Sequence, residues 1–323
     1  MKKFLLLILL FSIRLSAQQN TLEIPRDTSY TFFSAAQKMH KEFPEAKLVL
    51  PTLPQNVREE KNLVYAKIGK RELHLDLFYP KESKHEKIPA VVLIHGGGWR
   101  SGDRSLVIPM AQRLASVGFV ATAVEYRLSI EALYPAALYD IKSAIRWVRA
   151  NSSKYGIDTN KVAVYGCSAG GHLAALVGTT NDEVKFEGTE GNNNYPSYVR
   201  AIVDIDGVVD FFGKGTEELY KKSGKPSAAH LWFGASPKEN PEVWKEAGPI
   251  NHVNKNTPPI LFINSGQARF HAGRDEMIEK LKKFSIYYEV KTLPGTIHTF
   301  WLFEPWFEET IECTKNFLNK IFK

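Results

Sequence analysis

The run Val162-Ala163-Val164-Tyr165-Gly166-Cys167-Ser168-Ala169-Gly170-Gly171-His172-Leu173 decides the fold. Its first four residues are apolar without alternation, as in a strand buried on both faces. A helical pattern follows the glycines. Between the two, Gly166-x-Ser168-x-Gly170 must turn the chain sharply, which forces the central residue into strained backbone. Small residues two positions either side let strand and helix approach. The Ser168 hydroxyl is then held clear of the sheet at a helix N-terminus, where developing negative charge is favoured. A glycine-rich turn with a solvent-facing serine is the plainer reading. The strand before and the helix after favour a nucleophile.

Outward from this turn, the same strand texture recurs at Ala90–Ile94, Phe119–Val124, Ala201–Val203 and Pro259–Ile263. Helical spacing falls between these runs, at Ala137, Ile141, Ala144, Ile145 and Val148, at Met277, Ile278, Leu281 and Phe284, and at Cys313, Phe317 and Ile321. Strands alternating with helices predict an α/β fold, a mostly parallel sheet covered on both faces. Val64–Ile68 and Leu73–Phe78 alternate like two half-buried antiparallel strands at one edge. Residues 184–198 and 211–248 break the rhythm and are expected to lie over the sheet's C-terminal edge, where such folds bind ligands.

His95-Gly96-Gly97-Gly98-Trp99 follows directly on the strand ending at Ile94. Consecutive glycines leave backbone N–H groups unshielded, so Gly97 and Gly98, with the N–H of Ala169, could converge on an oxyanion. No Gly-Lys-Ser/Thr follows, which argues against a phosphate loop. Trp99, adjoining this loop, is expected to wall a substrate pocket. A nucleophilic serine needs a base. His298, in a loop after the strand-like Ile286–Val290 and before the last helix, is placed best, because this architecture runs serine, acid, histidine in chain order. His95 and His172 read as structural. The aromatic run Phe300–Phe307 reads mainly as packing for the last helix.

The His-Gly-Gly-Gly-Trp and Gly-Cys-Ser-Ala-Gly-Gly-His segments resemble the α/β-hydrolase superfamily, and more narrowly its hormone-sensitive-lipase-like and bacterial feruloyl/acetyl esterase group. Tyr126-Arg127-Leu128, Tyr134-Pro135-Ala136 with Asp140, and Pro249-Ile250-Asn251-His252-Val253 extend the resemblance over roughly residues 60–322. It implies Ser168 as nucleophile, His298 as general base, and Gly97, Gly98 and Ala169 as the oxyanion hole. One departure matters. The group usually carries its acid just after the strand that is here Ile260–Ile263, and this chain has no acid at that place. Asp275 is the first candidate, although an Asp at a helix start can simply be a cap. Asp210 and Asp206, after the preceding strand, offer the alternative placement.

Composition sets the outer limits. At 44% hydrophobic the chain is too apolar for disorder, and 2 cysteines cannot staple a disulfide scaffold, so Cys167 and Cys313 are expected as packed thiols. Lys2 and Lys3, the apolar Phe4–Ile13, and small Ser16 and Ala17 have the layout of a secretory signal peptide over 1–17. No cysteine near that region offers a lipid attachment point, so a secreted or periplasmic protein without a membrane anchor is expected. Residues 18–60, with a helical stretch expected around Ser34–Glu42 that ends before Pro44, read as an N-terminal extension and 61–323 as the catalytic domain. Without Lys2, Lys3 and Arg14, the 42 basic residues become 39 against 35 acidic, too even a balance to suggest a nucleic-acid partner. No metal or cofactor pattern is present. The resemblance implies a serine esterase acting on acetyl or feruloyl esters of plant polysaccharide fragments. A generic short-chain carboxylesterase, lipase or peptidase is one alternative. A catalytically inactive carbohydrate-binding relative is another, kept open by the missing acid.

Overall fold

The computed structural model describes residues 27–83, 86–181, 183–213, 216 and 226–323, so the expected signal peptide lies outside the described residues. Strands β1 (Lys47–Leu48), β2 (Val57–Ile68), β3 (Arg71–Pro80), β4 (Ile88–Ile94), β5 (Val120–Val124), β6 (Ile157–Cys167), β7 (Ala201–Ile205), β8 (Ile260–Ser265), β9 (Tyr288–Leu293) and β10 (Phe303–Glu304) follow in chain order. Eight of them form one sheet in the order β2-β3-β5-β4-β6-β7-β8-β9. β2 and β3 pair antiparallel across the turn at Gly69-Lys70, β3 pairs antiparallel with β5, and all later pairs are parallel. This is the mostly parallel α/β sheet expected from the strand–helix alternation, with an antiparallel edge, and it agrees with the α/β-hydrolase fold that the resemblance implies.

The continuous apolar runs have a plain cause. Successive side chains in a strand point to opposite faces, and both faces of this sheet are covered. In β4, Val92 and Ile94 join a core that includes Ile141, Ile145 and Leu173, while Val91 and Leu93 join a second core with Leu114, Phe307 and Phe317. The first core packs helices Ala136–Ala150 and Ala169–Thr179, and the second packs Phe32–Met39, Ile108–Ser116 and Trp306–Ile321.

Three expectations about the covering segments change. β2 begins at Val57, so the boundary placed at residue 60 falls inside a strand. Helix Phe32–Met39 starts two residues earlier than the expected Ser34, because Thr31 and Ser34 close a reciprocal capping box. Residues 183–199 do not cross the C-terminal edge of the sheet. They run along helix Ala136–Ala150, held by Lys142 and Arg146 to Glu187 and by Arg149 to the carbonyls of Pro196 and Tyr198. Residues 228–251 do lie at that edge, where Ala228 abuts Gly98.

Candidate active site

Ser168 stands between β6 and helix Ala169–Thr179 with φ 56° and ψ −121°, a left-handed conformation costing roughly 1–3 kcal/mol. The glycines make the turn possible. A Cβ on Gly166 would sit 1.9 Å from the Gly170 carbonyl oxygen, and one on Gly170 would sit 2.2 Å from that of Ile94. The Ser168 N–H donates to the Ile205 carbonyl at 2.7 Å, which ties the turn to the end of β7. Its hydroxyl donates to His298 Nε2 at 2.8 Å.

His298 is buried in the loop between β9 and the turn Phe300–Leu302. Its Nδ1–H donates to Asp206 Oδ2 at 3.0 Å, and its backbone N–H donates to Gln267 Oε1 at 2.9 Å. Phe270 lies flat on the imidazole with ring centroids 3.5 Å apart, and Trp301 meets it edge-on. Burial pushes the imidazole below its ordinary value of 6.5; Asp206 opposes this, while the cations of Lys38 and Arg269 add to it.

The carboxylate on His298 is thus Asp206, the last of the three candidates by sequence. Asp275, the first, is in the opening turn of helix Arg274–Lys283 with its side chain 76% exposed and paired with Arg274, where it complements the helix dipole. Asp210 turns back to accept the Phe212 N–H. Asp206 is buried with φ 50°; its other oxygen accepts the Ser265 N–H at 2.8 Å, so the end of β8 supports the acid without supplying it. The sequence signal was an acidic residue directly after a buried strand and directly before a glycine, in Ile205-Asp206-Gly207.

Gly97 (φ 123°) and Gly98 (φ 60°) curl the loop after β4. The Gly97 carbonyl is held by Ser101, whose N–H and hydroxyl both donate to it, and a Cβ on Gly97 would collide with the Ser101 backbone at 2.0 Å. Among the described residues, no backbone carbonyl takes the N–H of Gly97, Gly98 or Ala169. Trp99 corrects another expectation. It does not wall the cavity at Ser168, because its indole stacks on Trp232 at 4.9 Å and donates to His172 Nδ1 at 3.2 Å. Pulled inward by this aromatic cluster, Trp99 anchors the loop. His172 Nε2–H donates in turn to the Ala247 carbonyl, and burial lowers its pKa to about 4, which keeps it neutral. His95 bonds the Gly96 carbonyl and stacks on Tyr126, also a structural part. Cys167 and Cys313 are free thiols.

A model of the BD-FAE family matches residues 75–278. The chain belongs to the BD-FAE family. Among curated proteins it is similar to Esterase LipC of Mycobacterium tuberculosis, 33% identical over 196 residues, 60% of this chain and 47% of that one. It is also similar to the probable carboxylic ester hydrolase LipM of the same organism, 28% identical over 74% of this chain and 56% of that one. The chain therefore spans about half the length of the curated relatives it matches. Among solved structures, a truncated carbohydrate esterase from gut microbiota superposes with a TM-score of 0.71 at 26% identity, covering 83% of this chain and 98% of that one. Esterase 2 of Thermogutta terrifontis superposes with a TM-score of 0.67 at 26% identity, covering 85% and 98%. These likenesses place the chain in the α/β-hydrolase esterase group.

The BD-FAE match includes Gly97, Gly98, Ser168 and Asp206 but stops short of His298. It also begins after the segment that closes the site. Ser168 and His298 open into a cavity of about 280 Å3, and its far wall is built by Tyr30, Ala35 and Lys38 from the start of the described chain.

Proposed function

We propose that this BD-FAE chain is an exported serine carboxylesterase that removes short acyl groups from saccharides by way of an acyl-enzyme. The observation that carries the reading is the unbroken hydrogen-bond chain Ser168–His298–Asp206 beside the backbone N–H groups of Gly97, Gly98 and Ala169, which no backbone carbonyl takes among the described residues. Ser168 Oγ attacks the ester carbonyl carbon while its proton passes to His298 Nε2. The Nδ1–H stays on Asp206, which fixes the tautomer and stabilises the imidazolium. The tetrahedral oxyanion turns to the N–H groups of Gly97, Gly98 and Ala169. His298 then protonates the departing alcohol oxygen, and a water activated by the same imidazole releases the acid.

A cavity of about 280 Å3 at Ser168 leaves room for a short acyl group. Saccharide as the alcohol is supported by likeness to the gut carbohydrate esterase, and export by the Lys2–Ala17 pattern. The binding-protein alternative loses its main argument, because Asp206 supplies an acid from β7.

Hydrolysis of p-nitrophenyl acetate by the purified protein, beside Ser168→Ala, tests the reading. Loss of Ser168 should cut turnover by about 1,000-fold or more. Turnover that survives Ser168→Ala, or a wild-type protein inert on this and on acetylated saccharides, overturns it.

A further inference from the structure

Two glycines beside the catalytic turns are not needed to make those turns. Gly171 follows the Gly166-x-Ser168-x-Gly170 run, and Gly207 follows Asp206. Neither has a left-handed backbone. Both are small because the carboxyl of Asp204 lies against them. A Cβ on either glycine would sit 2.3 Å from Asp204 Oδ1. One on Gly207 would also sit 2.4 Å from the His172 nitrogen, so the turn after Asp206 packs directly on the first turn of helix Ala169–Thr179. At that joint Asp204 Oδ1 accepts the Gly207 N–H at 2.8 Å. One carboxyl oxygen therefore grips the residue next to the acid and touches the helix that presents the nucleophile. The other oxygen, Oδ2, is buried and has no hydrogen-bond partner among the described residues. An ionised carboxylate here would carry an unsolvated, unpaired charge two residues from Asp206. The titratable groups around it bring no relief. The Cys167 thiol is held neutral by burial, and His172 is neutral and bound to Ala247. Arg274 is taken up by Asn264 and Asp275, and Asp210 faces the Phe212 N–H. Burial, and after it the charge of Asp206, pushes the Asp204 carboxyl well above its ordinary value of 3.8, against the single N–H of Gly207.

We propose that Asp204 is a positioning residue that acts as a neutral carboxylic acid, seating the turn that carries Asp206 against the helix that carries Ser168. The inference rests on the esterase reading and deepens it. Asp206 stabilises the imidazolium of His298 only while it stays on Nδ1, and its backbone neighbour Gly207 is the point at which Asp204 holds the turn. A shift of the turn by a fraction of an ångström lengthens that bond and misplaces the imidazole relative to Ser168. Neutrality matters as much as the grip. A second carboxylate at this place would repel Asp206 and loosen its hold on the Nδ1–H. As an acid, Asp204 supplies the acceptor that Gly207 needs and leaves Asp206 as the charge facing His298.

Substitutions at this one position test the grip and the proton separately. Asp204→Ala releases Gly207, so kcat on p-nitrophenyl acetate should fall about 10- to 100-fold with KM little changed. The acid limb of kcat/KM should move to lower pH, because Asp206 favours the protonated imidazole and is then less well placed to do so. A merely structural role would lower the unfolding midpoint and leave that limb where it was. Asp204→Leu fills the space without an acceptor, should behave alike, and stands in if the alanine variant does not fold. Asp204→Asn keeps an oxygen for the Gly207 N–H and carries no charge, so it should recover most of the lost turnover. The proton is read from stability and needs no activity. A carboxyl that is neutral in the folded chain and ionises in the unfolded one costs stability as pH rises above 3.8. Urea unfolding of wild type and Asp204→Asn, run side by side, should show the ratio of their unfolding constants climbing by about tenfold per pH unit from there toward the folded carboxyl's own value, with the wild type losing ground. A ratio that stays flat above that pH overturns the neutral form, as does a folded Asp204→Asn as slow as Asp204→Ala. A folded Asp204→Ala or Asp204→Leu with wild-type kcat and an unmoved acid limb overturns the positioning role. A wild type that cleaves no ester defeats the underlying esterase reading instead, and the stability ratio still reports the proton.

Discussion

Asp206 is held by bonds to both carboxylate oxygens, one from His298 and one from the Ser265 N–H, and by a left-handed backbone that aims it at the imidazole. Substitution Asp206→Asn keeps the shape and loses the negative charge, so the imidazole is no longer held in the required tautomer. Turnover should fall by about 1,000- to 10,000-fold. Asp275→Asn, on an exposed helix turn, should stay within about twofold. Kinetics on p-nitrophenyl acetate separates the two, and the reverse order would return the acid to the helix start. The burial of His298 has its own consequence. Attack by Ser168 needs neutral imidazole, and burial favours that form, so activity should survive on the acid side until pH falls below 6.5. A pH profile of kcat/KM with an acid limb above 6.5 would contradict this.

Helix Ala136–Ala150 carries an apolar face that periodicity revealed and a charged face that periodicity assigns to solvent. That second face is buried too. Asp140 accepts the backbone N–H and the guanidinium of Arg127, and Lys142, Arg146 and Arg149 reach out to residues 183–199. A sequence gives no sign of this, because the cover comes from a segment some forty residues further on. Asp140→Ala removes the fully buried partner and leaves Arg127, whose side chain is only 15% exposed, with the longer contacts to Glu190 and the Ala136 carbonyl. The cost should be about 3 kcal/mol, read as a lower urea midpoint. An unchanged midpoint would mean that the pair is effectively solvated. The glycine turns fared differently. Gly97 and Gly166 were legible because their steric exclusion acts within four residues, against Ser101 and Gly170, and local sequence carries it.

At the scale of the whole molecule, the sheet was readable because strands buried on both faces need apolar residues on both. The choice of acid was not, since it depends on which strand end comes to rest opposite His298, a relation between residues 92 positions apart. Trp99 was misplaced for the same reason: Trp232, which draws it inward, comes from a distant segment. The N-terminal stretch is part of the body as well. Ala35 and Met39 are in the core beneath helix Trp306–Ile321, and β1 pairs with β10 just beyond the His298 loop. Removing residues 1–49 should therefore lower the unfolding midpoint and open the cavity to longer acyl chains. An unchanged midpoint and unchanged chain-length profile would show the segment to be dispensable. The bond from the Ser168 N–H to the Ile205 carbonyl has a last implication. Nucleophile and acid hang from neighbouring strands and are locked one residue apart across that bond. They move as a single body. Assembly of the site is left with one degree of freedom, the approach of the loop from Pro294 to Thr299, so whatever grips that loop sets how often the three groups meet.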